Sequence, residues 1–356
     1  MVIIHPLLPQ PLLRRGWGRS GLGRFYFKPM KHLHKLSILL ISALLLFASV
    51  SCNQNENDII RIGVLEGPSA LSFISLIDKE HIIDDKKVLI IVKSEPLQIQ
   101  AMMMKNELDF AVLPTVMAAN LYNKGVKYRM AACPIWGTLY LLSNAEERQS
   151  LPDLAGEEIA IFSRSSTADI LTKRLMDNEN IAYKGIDYRF TSNQEVAQAL
   201  LAGEVKNAVV SEPLVSVLLD KNPNIHIVEK LNCQRYIEDM PKNYFIQSAF
   251  VVSDKFIKNY PHLIPKVCNA YMNSCNFVNE DPEAAARLMV HHNISPNTDI
   301  ATKSIELCNI QYVAAFALAR ELYYYLQIFH TENPESIGGK IPEYDFIYQT
   351  YSASAR

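Results

Sequence analysis

Asn106-Glu107-Leu108-Asp109-Phe110-Ala111-Val112-Leu113-Pro114 and Gly203-Glu204-Val205-Lys206-Asn207-Ala208-Val209-Val210-Ser211-Glu212-Pro213 share one pattern in two separate parts of the chain. In each, a helix ends in a turn, a very short apolar strand follows, and a proline opens the next helix. Proline suits a first helical turn, where its missing N–H leaves no bond unmade. Repetition of a whole unit predicts two similar α/β lobes in tandem.

The flanking sequence extends this alternation. Short β-branched runs predict strands over 60–65, 88–92, 110–113 and 128–133 in a first block. A second block offers 158–162, 187–191, 208–211 and 226–231. Helical stretches separate them, opened by Gly67-Pro68-Ser69, Pro96, Pro114-Thr115 and Ser165-Ser166-Thr167. Strands alternating with helices are the mark of an α/β protein with largely parallel pairing. A strand over 245–252 then leads to a helical C-terminal third, with helices expected over 263–279, 281–291 and 313–329. Asp281-Pro282-Glu283 is a strong helix start: cap, proline at the first position, and an acid at the positive dipole end.

Before the first strand, Lys31 and Lys35 precede an uncharged apolar run from Leu36 to Ala48, then Ser49, Ser51 and Cys52. Thirteen residues is the length of a signal-peptide core and too short to span a bilayer. With the polar run 53–58 behind it, this segment resembles a bacterial lipoprotein signal. Cys52 would then be lipidated and become the new N-terminus. An ordinary cleaved signal and an uncleaved anchor are the other readings. Met30 stands just before the segment, so 1–29 read as an extension ahead of the natural start, 30–51 as signal and 52–58 as linker.

Residues 1–51 hold seven Lys or Arg and no acid, so their removal takes the formal charge from −2 to −9. An acidic chain of this kind has no electrostatic footprint for nucleic acid. After Cys52 come Cys133, Cys233, Cys268, Cys275 and Cys308, an odd number without a CxxC pair, which read as buried free thiols. HExxH, GxSxG, P-loop and strand-associated GxGxxG motifs are absent. His291 and His292, adjacent on a predicted helix, are expected to point apart and make a poor metal pair. Neither catalytic residues, nor a cofactor, nor a metal is expected.

Ile62-Gly63-Val64, the segment 107–114, Leu154-Ala155-Gly156-Glu157-Glu158-Ile159-Ala160-Ile161, the stretch 195–213 and Ile337-Gly338-Gly339-Lys340-Ile341-Pro342 occur in an order that resembles the NitT/TauT family of ABC transporter substrate-binding lipoproteins, its NMT1/THI5-like and SsuA-like group. The resemblance covers 59–350. It implies a type II periplasmic-binding-protein fold: two α/β lobes, a ligand cleft between them, and a helical C-terminal part packed on lobe 1. Lobe 1 would comprise 59–140 plus 250–356 and lobe 2 would comprise 141–249, with crossings near 134–143 and 245–252. It also implies a monomeric solute receptor on the extracytoplasmic face of a bacterial membrane, lipid-anchored, delivering a nitrate-, sulfonate- or thiamine-precursor-like molecule to an ABC permease. The alternative is a same-fold enzyme of menaquinone (futalosine) or thiamine-pyrimidine biosynthesis, which would lack an export signal.

Ligands of open α/β sheets sit beyond the carboxyl ends of strands, near helix N-termini. That rule selects Pro68 and Ser69, Thr115, the loop Arg164-Ser165-Ser166-Thr167, and Glu212. Trp136, on a crossing, is a candidate for stacking a planar guest or for hinge packing. Ser166 could cap its helix instead of binding, and Glu212 could simply favour a helix start.

Overall fold

The computed structural model describes residues 58–231 and 245–349. The lipoprotein-like segment, Cys52 and Cys233 lie outside these described residues. Among the described residues, no helix is long and apolar enough to cross a membrane.

Two sheets organise the chain. The larger contains β1 (Ile59–Leu65), β2 (His81–Ile83), β3 (Lys86–Lys93), β4 (Phe110–Pro114), β5 (Tyr128–Ile135), β11 (Ser248–Ser253) and β12 (Ile310–Ala314), in the order β12-β5-β11-β4-β1-β3-β2. The smaller contains β6 (Leu139–Ser143), β7 (Glu158–Ala160), β8 (Gly185–Asp187), β9 (Asn207–Ser211) and β10 (His226–Lys230), in the order β10-β6-β9-β7-β8. The two copies of the sequence repeat end in β4 and β9, and both take the same topological place. Each is the middle strand of its sheet, parallel to one neighbour (β1 or β7) and antiparallel to the other (β11 or β6). Burial on both faces explains why each reads as a continuous apolar run rather than an alternating one.

Helices α1 (Pro68–Ser72), α2 (Ile74–Asp78), α3 (Pro96–Met104) and α4 (Thr115–Asn123) belong to the larger-sheet half. Helices α5 (Thr167–Asn178), α6 (Asn193–Leu201) and α7 (Leu214–Lys221) belong to the smaller. The C-terminal part adds α8 (Asp254–Asn259), α9 (Ile264–Glu280), α10 (Pro282–His291), α11 (Thr298–Cys308) and α12 (Ala319–Glu332).

Two C-terminal elements differ from expectation. Val313 lies in β12 rather than in a helix, because pairing with β5 overrides the local helical pattern. Helix α11 is an addition; Asn297 caps it by accepting from Ile300 N, and Ile300, Ala301, Ser304, Ile305 and Cys308 make its buried face. The strands at 158–160 and 185–187 are also shorter and, for β8, earlier than the apolar runs suggested.

The core of the larger half is aromatic. Phe73 stacks on Tyr271 of α9 with centroids 3.7 Å apart, Phe250 meets Tyr271 edge-on at 4.8 Å, and Phe110 stacks on Phe250 at 5.2 Å. Tyr271 is fully buried, and its hydroxyl shares a 2.8 Å hydrogen bond with Ser72. The ring thus fills the space between α1 and the sheet and also satisfies a buried hydroxyl. Tyr271→Ala is expected to cost about 3–5 kcal/mol, and Tyr271→Phe about 1 kcal/mol. Urea denaturation of the two variants separates packing from the hydrogen bond.

Candidate functional site

The chain passes from the larger sheet to the smaller over 136–138 and returns over 231–247, whose residues 232–244 lie outside the described set. The two passages are tied together. Gln247 Oε1 accepts from Thr138 N at 2.6 Å, and its Nε2 donates to Thr138 Oγ1 at 2.8 Å. Gly137 has φ 111°, and a Cβ there would come 3.1 Å from the Phe245 ring, so close approach of the passages needs glycine. Trp136 is buried and donates its indole N–H to Gln311 O at 2.6 Å. Packing against β12 therefore occupies most of this side chain.

Beyond the carboxyl ends of β1, β3, β7, β8 and β9 lies a cavity of about 700 Å³. Its walls come from both halves: Gly67, Glu95 and His292 on one side, Phe162, Asn193 and Glu212 on the other. A volume of that size suits a small organic molecule. Gly67 has φ 79°, and a Cβ on it would stand 2.9 Å from Pro213 Cδ, so the loops after β1 and β9 touch at the base of the cavity. Glu66, Glu95 and Glu212 line it, together with His292, and no Lys or Arg appears among the described lining residues.

Glu212 is only 2% exposed. Its Oε1 accepts from Ser216 Oγ and its Oε2 from Ser304 Oγ, each at 2.9 Å. Ser216 lies on α7 of the smaller half; Ser304 lies on α11, which follows the larger half. Burial pushes the carboxyl up to about 7, against the lowering effect of the two serines. The nearby Tyr140 hydroxyl and Cys308 thiol are themselves pushed up, by burial and by this carboxylate. Lys303 and Asp220 form an exposed pair at 3.7 Å between the same two helices, and Tyr140 donates to Leu307 O at 2.8 Å.

A second seam joins the halves. Ser166 caps α5, accepting from Asp169 N, as a plain N-capping serine would. The loop before it is unusual: Ser163 and Ser165 have φ 68° and 59°, left-handed values that cost energy for a residue with a side chain. Buried Asp169 compensates, accepting from Ser165 N and Tyr188 OH at 2.6 Å each and pairing with Lys173. Arg164 is exposed and stacks over the Tyr188 ring at 3.9 Å. Ser165 Oγ accepts from Asn333 Nδ2 at 2.8 Å, and Arg174 pairs with Glu332 at 3.1 Å, so the end of α12 meets the smaller half here.

The structure therefore distributes the residues selected from sequence. Glu212 lines the cavity, and Pro68 and Ser69 directly follow its Gly67 wall. Ser165 lies at the α12 seam, Arg164 stacks on Tyr188, and Ser166 and Thr167 open α5. Thr115 is wholly buried at the start of α4; its N–H donates to Gln247 O, and its hydroxyl has no partner among the described residues. Sequence reasoning missed Glu95, Ser192 and Asn193, whose Nδ2 donates to Ser211 Oγ at 2.8 Å. They follow β3 and β8, two strand ends to which the same carboxyl-end rule applied. It also misjudged the histidines. His291 ends α10 and His292 is its cap, so the rings converge, with centroids 4.8 Å apart.

All four described cysteines are free thiols. Burial pushes every one of them up, Cys268 to about 11, which leaves no ready thiolate among them.

Two α/β halves facing each other across a cavity at their strand ends define a periplasmic-binding-protein fold. The chain belongs to the NMT1-like family, whose profile matches residues 94–291. It is similar to the crystal structure of an ABC transporter protein from Parabacteroides distasonis, with 32% identity and a TM-score of 0.74 over 82% of this chain and 99% of that one. It shares the fold of the periplasmic aliphatic sulphonate binding protein SsuA of Escherichia coli (11% identity, TM-score 0.64, 84% and 96% covered). The ligand-binding component of an ABC-type import system from Staphylococcus aureus, solved with zinc bound, has the same fold (15% identity, TM-score 0.63, 82% and 96% covered). No curated protein matches the chain.

The state of Glu212 sets a pH dependence. A carboxyl whose value is 4.5 when unfolded and about 7 when folded contributes stability that is complete below pH 4.5 and lost as pH rises through 7. Glu212→Gln keeps a neutral group that can bond both serines. The variant is expected to match the parent near pH 4.5 and to exceed it by about 3 kcal/mol at pH 8. Urea unfolding at both pH values measures this, and a parent equally stable relative to the variant at both would refute it.

Proposed function

We propose that this protein is an extracytoplasmic solute receptor that captures one small molecule in the cavity between its two sheets and presents it to an ABC importer permease. The single observation that carries the reading is the position of the cavity, lined by strand-end loops from both halves. On this reading 59–140 plus 250–356 and 141–249 form the two lobes, and a ligand shifts the chain toward the closed arrangement by touching both walls at once. The protein acts as a monomer, held at the outer face of a bacterial membrane by lipid on Cys52.

Pro68, Ser69 and Glu212 from the original set, with Ser192 and Asn193, are the proposed ligand contacts. Thr115, with its unpartnered hydroxyl, and Trp136 border the crossing. Ser165, in the loop with Arg164, Ser166 and Thr167, acts at the α12 seam and favours closure. Three glutamates, with no Lys or Arg among the described lining residues, favour a neutral or amine-bearing guest, such as a thiamine-precursor-like pyrimidine, over nitrate or a sulfonate. Raised thiols and the missing catalytic motifs weigh against the enzyme alternative.

Mass spectrometry of the protein under native conditions is expected to reveal a co-purifying small molecule. Asn193→Ala should weaken that molecule about fivefold to tenfold, the worth of one hydrogen bond. Unchanged affinity in Asn193→Ala, or a molecule that is a sulfonate or nitrate, would reject the cavity assignment. Separately, Cys52→Ser is expected to move the protein from the membrane to the soluble fraction of expressing bacteria, with loss of the lipid mass from the N-terminal peptide. A peptide without lipid in the parent chain would reject the anchor.

A further inference from the structure

We propose that Asp78, His291 and His292 form a binding site for a divalent transition-metal ion of the zinc class, at the edge of the interlobe cavity. Asp78 is the last residue of α2, and α2 packs against α10, where His291 and His292 close the final turn. One ligand atom from each residue lies within 4.8 Å of the others. Among the described residues, no other trio of His, Cys, Asp or Glu converges in this way.

One edge of the trio already has the spacing of a tetrahedral centre. Zinc–ligand bonds of about 2.0–2.2 Å place neighbouring ligand atoms about 3.3–3.6 Å apart. Asp78 Oδ1 and His292 Nε2 are 3.2 Å apart. The His291 ring stands nearly perpendicular to its neighbour, at 81°, and is exposed, so it can rotate to complete the trio without disturbing packing. Two imidazoles and one carboxylate form a donor set that suits zinc, nickel or copper, whereas calcium and magnesium prefer oxygen alone. Three protein ligands also leave a position open, as in zinc sites that exchange a water or a guest.

The surroundings favour a cation. His292 lines the cavity, and the other ionisable lining residues are Glu66, Glu95 and Glu212. All three ligands belong to the larger-sheet half, so the site exists whether or not the smaller half closes on it. It is independent of the proposed solute and of the lipid anchor. A bare Asp78–His292 ion pair is the competing account, and it makes no use of His291.

The full chain, stripped with EDTA, can be titrated with zinc chloride by calorimetry and with cobalt chloride by visible absorption. One ion per chain is expected, with d–d bands of a low-coordinate cobalt centre. His291→Ala and His292→Ala should each weaken zinc about tenfold or more, while His262→Ala, at an exposed histidine elsewhere, leaves affinity unchanged. Asp78→Asn should do the same as the two site variants. If either Asp78→Asn or His292→Ala fails to fold, the exposed His291→Ala variant decides alone. No uptake, or uptake that survives His291→Ala, would overturn the site and leave the plain ion pair.

Discussion

A carboxylate held away from water between two serines is the constraint on which the arrangement of the halves turns. Glu212 ends the loop after the middle strand of the smaller sheet, and one of its oxygens is bonded to Ser304, on a helix that grows out of the other half. An ionised carboxylate in such a place needs its partners, because losing one leaves a buried charge under-solvated. The contact therefore fixes α11 against α7. Through the next residue, Pro213, it also fixes the approach of the Gly67 loop. One side chain thus ties a wall of the cavity to a helix of the other half.

The same organisation explains why the functional surface lies where it does. β4 and β9 are short and buried on both faces, so their only free edges for chemistry are their ends. Each hands the chain directly to a helix start, where N–H groups lack intrahelical partners. Two such sheets meeting at their strand ends gather the starts of α1, α3, α6 and α7 around one volume. The C-terminal helices tie the halves together: α11 through Ser304 to Glu212, and the end of α12 to Ser165 and Arg174.

Much of this was legible in the sequence because it depends on local rules. The repeat ending in Pro114 and Pro213 identified the two middle strands, and of the residues selected at strand ends Glu212 alone lines the cavity. What escaped was set by partners distant along the chain. Val313 reads as helical alone and becomes a strand only beside β5. Glu212 reads as a helix-start acid and becomes a buried linchpin only when Ser304 arrives from 92 residues away. His291 and His292 read as divergent on an ideal helix, yet the helix stops between them. Asn193 was missed for a different reason, since the strand-end rule was not applied to β8.

The polar contacts between the halves are few and individually weak, and they lie beside an apolar cluster that both halves share. Across the two seams the polar contacts include Ser304–Glu212, Tyr140–Leu307, Ser165–Asn333, Lys303–Asp220 and Arg174–Glu332. A neutral hydrogen bond is worth about 1 kcal/mol net, and an exposed ion pair about 0–1 kcal/mol. Together they amount to roughly 3–5 kcal/mol, with the bond to the buried carboxyl the largest share. Moving a two-state equilibrium from one arrangement almost wholly to the other takes about 5.5 kcal/mol of differential binding. The polar contacts alone fall short of that figure, and apolar packing shared by the two halves adds to them. Leu171 and Leu175 of α5 share that cluster with Leu322, Leu326 and Phe329 of α12, so the smaller half is held by burial as well as by hydrogen bonds.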